Sequence, residues 1–333
     1  MQKKLNKKLK NKNFVLLGGA GFIGSNLVVK LIELNAKITV VDNFDINSSA
    51  NQFNIKEFKK KIKLINKNYL EIKNIKKIIK DADFIINLIS QSGHAESIAN
   101  PIKDLNINTV VHLKFLQDCL KYNKKTKILL LSTRQLYGKP NSKLVNEKHR
   151  VNPLDFNGIS KLATDLYYQR YHDIHLLNTC ILRLTNIYGP KMRIKDSLLN
   201  FMGFWFYKII NSENIQIYGN GNQKRDIIFI DDLINLIISI FSISKFDGRV
   251  YNVGNSKSFS LNCIAKKMIT QNAKSKIIKI KFPKLNKKID IGTYQTNINK
   301  IKKEFKWEPT IDIEEGILKT LKYFRKNYNY YKK

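Results

Sequence analysis

Cysteine is scarce in this sequence, with three residues in 333 positions: Cys119, Cys180 and Cys263. Thiols this far apart indicate neither the disulfide framework of a small secreted domain nor the ligand cluster of a zinc site. Apolar runs are short, and none approaches the roughly 20 residues of a membrane-spanning helix. The basic N-terminal stretch MQKKLNKKLKNKN has no apolar segment and therefore lacks the pattern of a secretory signal. These absences predict a cytoplasmic protein that does not enter a membrane.

Acidic residues are also few, because 26 Asp and Glu stand against 60 Lys and Arg, a formal net charge of +34. Such a charge attracts nucleic acid, anionic membranes and phosphorylated substrates. The excess is spread along the whole chain among Asn and Ile residues, without an Arg-rich stripe or a separate basic domain. This distribution favours a biased composition over a nucleic-acid-binding surface. Nucleic acid therefore stays an open but less favoured partner.

Short runs of β-branched residues and leucine alternate with helical patterns through the first half of the chain. Five runs predict strands that are apolar on both faces: 14–17, 37–41, 62–65, 83–89 and 127–132. Such strands are typical of a parallel sheet covered by helices on each side. Apolar residues recur at helical spacing between the first two runs and again over 102–121. The alternation predicts a Rossmann-type, doubly wound α/β fold.

The regular alternation ends near Pro190, after which Gly, Asn and aromatic residues become more frequent. This change predicts a smaller C-terminal lobe with irregular connections. We expect one domain over 12–186, which the segment 226–255 rejoins. A smaller lobe is expected from 187–225 and 256–325. Residues 1–11 and 326–333 are predicted to be basic tails.

The stretch FVLLGGAGFIGSNL places Gly18, Gly21 and Gly24 between the first strand and its helix. Glycines here permit a tight turn, the approach of a pyrophosphate to the backbone and close packing of the helix. The N-terminus of the helix offers free N–H groups to the phosphates. Asp42 ends the second strand, where a carboxylate accepts hydrogen bonds from a ribose and repels a 2′-phosphate. The sequence therefore predicts NAD as the bound dinucleotide. The domain over 12–186 is then the NAD-binding domain, and the smaller lobe is expected to bind the substrate.

This glycine spacing resembles that of the extended short-chain dehydrogenase/reductases, and specifically the NAD-dependent epimerase/dehydratase family acting on nucleotide sugars. Other stretches are similar to that family's motifs, in the same order: VVDNF, LSTRQLYG, RLTNIYGP, GNGNQKRDIIFIDD, YNVGN and FKWEPTIDIEEGI. The resemblance covers nearly the whole chain from Phe14 to about Phe324. It is much more specific for the family than for the reaction.

The resemblance implies roles for particular residues. Thr133 falls where the family has a Ser or Thr that hydrogen-bonds the reacting sugar hydroxyl, and Lys161 falls on the lysine that binds the nicotinamide ribose. Asn186 resembles an asparagine near the substrate phosphate and sugar, and Arg225 resembles an arginine that binds the diphosphate. Further cofactor contacts are implied for Phe22, Ile23, Asn43, Tyr69 and Leu88, and further substrate contacts for Gln91, Tyr218 and Lys287.

Three sites depart from the family's pattern. Asn68 stands where an Asp commonly contacts the adenine. Arg134 and Gln135 stand where sugar 4,6-dehydratases have an Asp and a Glu that eliminate water, and neither exchanges a proton near neutral pH. Asn157, four residues before Lys161 in DFNGISK, replaces the tyrosine that accepts the hydroxyl proton. An amide cannot accept it, and losing a positioned proton acceptor costs about 10²–10⁴-fold in rate.

Three other side chains could take the proton. Lys161 could do so if desolvation lowered its pKa, with Asn157 orienting the sugar. His94 follows the fourth predicted strand, at the edge where ligands of open α/β sheets bind. Tyr137 lies in LYG, where the family often has a tyrosine for structural reasons.

The leading hypothesis is an NAD-dependent epimerase that transiently oxidises and then reduces a nucleotide-diphosphate sugar. A dehydratase or dehydrogenase with an unusual base stays open. So does a catalytically silent protein that binds NAD or nucleic acid. The resemblance also implies a homodimer that uses the helices over 102–121 and 160–171.

Overall fold

The computed structural model describes residues 8–197, 199–243, 246–272 and 274–332. The strands are β1 (Asn13–Leu17), β2 (Lys37–Asp42), β3 (Lys63–Asn66), β4 (Phe84–Asn87), β5 (Lys127–Thr133), β6 (Asn178–Leu184), β7 (Asn186–Tyr188), β8 (Ile215–Tyr218), β9 (Lys224–Arg225), β10 (Ile227–Phe229), β11 (Val250–Val253), β12 (Phe259–Ser260) and β13 (Ile277–Ile280).

The α-helices are α1 (Phe22–Glu33), α2 (Gln52–Ile55), α3 (Lys76–Ile79), α4 (His94–Ala99), α5 (Pro101–Leu105), α6 (Val111–Tyr122), α7 (Phe156–His175), α8 (Phe201–Ile210), α9 (Ile230–Ile243), α10 (Leu261–Ile269), α11 (Lys284–Ile289), α12 (Asn299–Phe305) and α13 (Ile313–Asn327). Tight 3-10 turns cover Lys56–Lys61, Tyr69–Glu71, Arg134–Tyr137 and Tyr328–Tyr330, and a π-helical turn covers Asn106–Val110.

Seven strands form a parallel sheet in the order β11-β6-β5-β4-β1-β2-β3. Alternate residues of β1 enter two different cores. Leu16 packs with α1 and α9 on one face of the sheet, whereas Val15 and Leu17 pack with α6 and α7 on the other. Covering both faces removes the apolar side chains of the strands from water. The predicted Rossmann-type, doubly wound fold is confirmed.

The segment 226–255 returns to the sheet only in part. Its strand β11 pairs with β6 at the edge of the sheet, but β10 pairs with β7 in a separate two-stranded sheet. The expectation that the strand after Asp226 also rejoins the large sheet is therefore wrong. The chain leaves the large sheet at Thr185, between β6 and β7, and the Thr185 hydroxyl donates to the Asp226 carbonyl oxygen at 2.9 Å. This contact holds β10 beside β7.

The C-terminal segment is packed against the first half of the chain. Tyr330 stacks on Phe53 with ring centroids 3.9 Å apart, and the buried Tyr331 donates a hydrogen bond to Asn54 Oδ1 at 2.6 Å. The prediction of a tail over 326–333 is wrong for these residues, because stacking on Phe53 holds Tyr330 and burial holds Tyr331. Residues 1–7 of the predicted N-terminal tail, and Lys333, lie outside the described residues. Leu9 is buried in the core, so the prediction of a tail is also wrong at this position.

Besides the β7–β10 sheet, the second half of the chain adds two more small sheets and several helices, with β8 paired to β13 and β9 paired to β12. Their apolar side chains, among them Met202, Ile215, Ile264 and Leu321, belong to the same core as α1 and β2. The division into a cofactor domain and a substrate lobe stays a prediction. No helix in the described ranges is long and apolar enough to cross a membrane.

Candidate active site

A cavity of about 580 Å³ lies along the carboxyl ends of the parallel strands. Loops that follow β1, β2, β4 and β5 line it together with the first turns of α7. Ligands of open α/β sheets bind at this edge. Fifteen of the predicted site residues line this one cavity: Gly18, Gly21, Phe22, Ile23, Gly24, Asp42, Asn43, Tyr69, Leu88, Gln91, His94, Thr133, Asn157, Lys161 and Asn186.

The glycine-rich loop has the shape that a dinucleotide pyrophosphate requires. Gly18 has φ +78°, a conformation that side chains other than glycine rarely adopt. A Cβ atom on Gly24 would lie 2.6 Å from the Cα of Gly19, so only glycine lets α1 approach the loop this closely. The helix begins after Gly21, which has no side chain to cap it, and Ser49 Oγ accepts the Phe22 N–H at 2.9 Å. Residues of this helix N-terminus line the cavity, and a helix N-terminus attracts phosphate.

Asp42 lies at the end of β2, and its carboxylate is held by two backbone groups. Its oxygens accept hydrogen bonds from the N–H groups of Ala20 and Phe44, each at 2.9 Å. Burial raises the pKa of Asp42, while these hydrogen bonds lower it in part. A carboxylate has further lone pairs for ribose hydroxyls. Together with the loop, this geometry fits NAD. The Tyr69 hydroxyl donates to Asp118 at 2.9 Å, so only the ring of Tyr69 is available to a ligand in the cavity.

Asn157 is buried, and its amide nitrogen is fully engaged. It donates to the Gln91 carbonyl oxygen at 2.8 Å, to Gln91 Oε1 at 3.1 Å and to Asp104 Oδ1 at 2.9 Å. The side chain thus joins α7 to α5 and to the loop after β4. Asn157 performs no proton transfer, since an amide neither gains nor loses a proton near neutral pH.

The Lys161 amine lies on the next turn of α7 and is held by polar side chains. Its Nζ donates to Ser90 Oγ at 2.6 Å and to Asn108 Oδ1 at 3.2 Å. Burial lowers the pKa of Lys161 to about 8, although the charges of Asp104 and Asp165 oppose the shift. The ammonium group can therefore lose its proton close to neutral pH.

Three residues of this network were missed by the sequence analysis: Ser90, Asp104 and Asn108. Asn108 also accepts the backbone N–H of Gln91 at 3.1 Å and donates to Asp104 at 2.8 Å. It lies in the π-helical turn, a distortion that occurs frequently at functional sites. A signal was present, because Asn106, Asn108 and Thr109 are three poor helix formers within an otherwise regular amphipathic helical pattern.

His94 is the first residue of α4, and a buried carboxylate holds its ring. Its Nδ1 lies 2.6 Å from Asp155 Oδ2, and its side chain is partly exposed to the cavity. Asp155 is the N-cap of α7 and also accepts the N–H of Gly158 at 2.7 Å. Burial raises the pKa of Asp155, but the contacts with His94 and Gly158 bring it below its ordinary value. Within the described chain, His94 Nε2 has no hydrogen-bond partner.

Tyr137 does not line the cavity. Its ring is fully buried, and its hydroxyl donates to Asn252 Oδ1 at 2.7 Å and accepts from Arg183 Nη1 at 2.8 Å. Burial raises the pKa of Tyr137, although Arg183 opposes the shift. These contacts make Tyr137 part of the packing beneath the site, and it is not a candidate base.

Three predicted substrate residues lie outside the cavity. Tyr218 is on β8 with its ring centroid 5.4 Å from that of Phe282, and Lys287 is on the exposed helix α11. Arg225 forms an ion pair with Asp290 at 2.7 Å. Arg225 nevertheless lies close enough to the cavity residue Arg134 for its positive charge to lower the pKa of Arg134.

The family model described as GDP-mannose 4,6 dehydratase matches residues 15–320. A putative UDP-glucose 4-epimerase of Methanocaldococcus jannaschii is 27% identical over 94% of this chain and 98% of its own length. UDP-glucuronic acid decarboxylase 1 of Xenopus tropicalis is 28% identical over 95% of this chain and 72% of its own length. The solved structure of a UDP-N-acetylglucosamine 4-epimerase from Methanobrevibacter ruminantium has a TM-score of 0.86 and 25% identity, and it covers 96% of this chain and 99% of that chain.

The match to the family model covers almost the whole chain, and the site has the loop, carboxylate and lysine that the sequence resemblance implied. The predictions of this family, of an enzyme and of NAD as its cofactor are therefore confirmed. The protein belongs to the NAD-dependent epimerase/dehydratase family of enzymes, the extended short-chain dehydrogenase/reductases.

Proposed function

We propose that the protein is an NAD-dependent epimerase of a nucleotide-diphosphate sugar. The observation that carries the proposal is the His94–Asp155 pair, which opens into the cavity that also holds the glycine loop and Thr133. It supplies a proton acceptor where Asn157 cannot. Two features support an epimerase over a 4,6-dehydratase: Arg134 and Gln135 provide no acid–base pair, and several relatives are named as 4-epimerases.

The proposed proton path runs through His94. Asp155 accepts the Nδ1–H group and so leaves the lone pair of the neutral imidazole on Nε2. His94 takes the proton of the sugar hydroxyl through Nε2 and later returns it. The glycine loop, Asp42 and Lys161 would hold NAD, which would supply reversible hydride transfer at the carbon that bears this hydroxyl. The two proton transfers cancel, so the product has the mass of the substrate.

Other residues position the reactants. Thr133 bonds the reacting hydroxyl, and Lys161 binds the nicotinamide ribose. Asn157 acts through Gln91 and Asp104 and holds against α7 the loop that leads into α4, at whose first position His94 lies. Arg225, Tyr218 and Lys287 remain proposals for the nucleotide and diphosphate, as the family resemblance implies.

Conversion of nucleotide sugars tests the reaction class. The protein, supplied with NAD, is incubated with a panel of nucleotide-diphosphate sugars while NADH absorbance, product mass and product NMR are followed. We expect transient NADH and an isomer of unchanged mass. Loss of water or carbon dioxide would instead identify a dehydratase or a decarboxylase. Ligand binding without any product would favour a catalytically silent protein.

The role of His94 is tested by the change His94→Gln. We expect kcat to fall by about 10²–10⁴-fold, as for removal of a general base, with little change in KM because the ring does not hold the nucleotide. His175→Gln is the matched control, since His175 lies exposed at the far end of α7. If His94→Gln keeps the wild-type rate while Lys161→Met abolishes it in NAD-saturated protein, Lys161 is the base and the proposed path is wrong.

A further inference from the structure

Two buried donors in the cavity have no hydrogen-bond partner among the described residues. They are Nη1 of Arg134 and Nδ2 of Asn186. Arg134 is only 8% exposed, and both side chains line the cavity. A buried polar group without a partner costs free energy, and a charged one costs more. A ligand oxygen at this position would remove that cost.

The position of the Arg134 guanidinium is fixed by its neighbours. Its Cζ lies 4.8 Å from the centroid of the Tyr294 ring, and Nη2 reaches Asn186 Oδ1 at 3.4 Å. Stacking on an aromatic face leaves the edge of a guanidinium free to donate. Arg134 Nη1 and Asn186 Nδ2 therefore form a prearranged pair of donors.

The nearby carboxylates are already hydrogen-bonded elsewhere. Asp226 accepts the Thr185 hydroxyl on one oxygen and the Thr296 N–H at 3.1 Å on the other. Asp290 binds Arg225. No carboxylate in the described ranges hydrogen-bonds to Arg134.

The charge of Arg134 is therefore incompletely compensated. Burial and the positive charge of Arg225 lower the pKa of Arg134 to about 10, despite the opposing charges of Asp226 and Asp290. The guanidinium remains charged at neutral pH. An anionic group of a ligand would satisfy both its charge and its free N–H, and an arginine edge binds a carboxylate through paired hydrogen bonds.

We propose, on the basis of the proposed function, that Arg134 and Asn186 bind a carboxylate carried by the sugar ring. The preferred substrate would then be a nucleotide-linked uronic acid and not a neutral hexose. Arg134 directly follows Thr133, to which we assign the reacting hydroxyl. A ring carboxylate lies close to the ring hydroxyls, whereas the diphosphate begins beyond the anomeric oxygen. The relatives do not decide the question, because their names include both UDP-glucose and UDP-glucuronic acid.

Equilibrium binding to NAD-loaded protein tests this inference without requiring turnover. Titration calorimetry would compare UDP-glucuronate with UDP-glucose for wild type, Arg134→Met and Arg134→Lys. We expect wild type to bind the uronate about 10- to 100-fold more tightly, the range of one or two charged hydrogen bonds. Arg134→Met should lose this preference, and Arg134→Lys should keep part of it.

Arg193→Met is the matched control. Arg193 lines the same cavity, but Asp196 already binds it, with Nε 2.9 Å from Oδ1. Removing this charge should leave the ratio of the two affinities unchanged. Retained NAD binding and an unchanged melting transition would show that each variant is folded.

Two results would overturn the inference. The first is a wild type that does not prefer the uronate. The second is an Arg134→Met variant that binds both ligands equally less well, which would assign Arg134 to the diphosphate. Selective uronate binding without formation of an isomer would refute the proposed epimerase but leave the carboxylate site intact. Conversion of neutral hexoses alone would do the reverse.

Discussion

The substitution at Asn157 shows how far a single residue can be predicted from sequence. The sequence indicated that the usual proton acceptor is missing and that His94 lies at the ligand-binding edge. It could not indicate that Asp155 holds His94, because the two residues are 61 positions apart and meet only through packing of α4 on α7. The hydrogen bond from the Asn157 amide to Asp104 could not be predicted either, because nothing in the local sequence distinguishes Asp104 from other helix residues.

Lys161 gives a prediction at the same scale. Its folded pKa of about 8 lies below the ordinary lysine value of 10.5. Between these pH values the unfolded chain binds a proton that the folded protein has released, so the free energy of unfolding rises with pH. The rise should be roughly 3 kcal/mol, at about 1.4 kcal/mol per pKa unit. Urea unfolding of NAD-free protein across this window measures it.

The Lys161→Met variant isolates this contribution. Other groups titrate in the same range, and they remain in both proteins. The difference between wild type and Lys161→Met should therefore grow in favour of wild type as the pH rises. Parallel curves for the two proteins would show that the amine is not buried as the structure indicates.

Whole elements were more predictable than their irregularities. The β1–α1 unit follows from the sequence because its glycine spacing and apolar periodicity are local. The helix predicted over 102–121 exists, but as α5, a π-helical turn and α6. That turn is stabilised by distant contacts, such as Asn108 with Lys161 and Thr109 with the Ser160 carbonyl oxygen at 2.9 Å. The helix propensity of the local sequence cannot predict contacts with residues this far away in the chain.

The close approach of α1 to the glycine loop can be tested with Gly24→Ala. The added Cβ would meet the Gly19 backbone at 2.6 Å, and backbone cannot move aside as a flexible side chain can. We expect a loss of about 1–3 kcal/mol in the free energy of unfolding, as for overpacking elsewhere, and weaker NAD binding because the helix N-terminus shifts. Urea unfolding and NAD titration measure the two effects.

Val29→Ala is the control for helix α1, since Val29 lies on its outer face and is 38% exposed. This variant should bind NAD as the wild type does. A Gly24→Ala protein with unchanged NAD affinity would mean that the pyrophosphate does not depend on this helix end.

At the scale of the whole molecule, exposed apolar side chains are concentrated on α5 and α7. Ile102 and Leu105 on α5 are 69% and 41% exposed, and Ile159 and Leu166 on α7 are 53% and 48% exposed. The two helices pack side by side, and we call their exposed apolar side chains the α5–α7 face. An apolar surface of this kind marks a contact site. We propose that a second copy of the chain covers it, as the family resemblance implies.

Leu166→Lys tests this dimer. Burying an additional unpaired charge at the interface is unfavourable, so we expect the variant to elute as a monomer in light-scattering chromatography while the wild type has twice the chain mass. Leu318→Lys is the control, because Leu318 is similarly exposed on α13, away from the face.

The net charge of +34 on each chain makes protomers repel, and salt screens that repulsion. Dimerisation of the wild type should therefore strengthen with ionic strength. If the wild type stays monomeric at high salt, the proposal that a second copy of the chain covers the α5–α7 face is wrong.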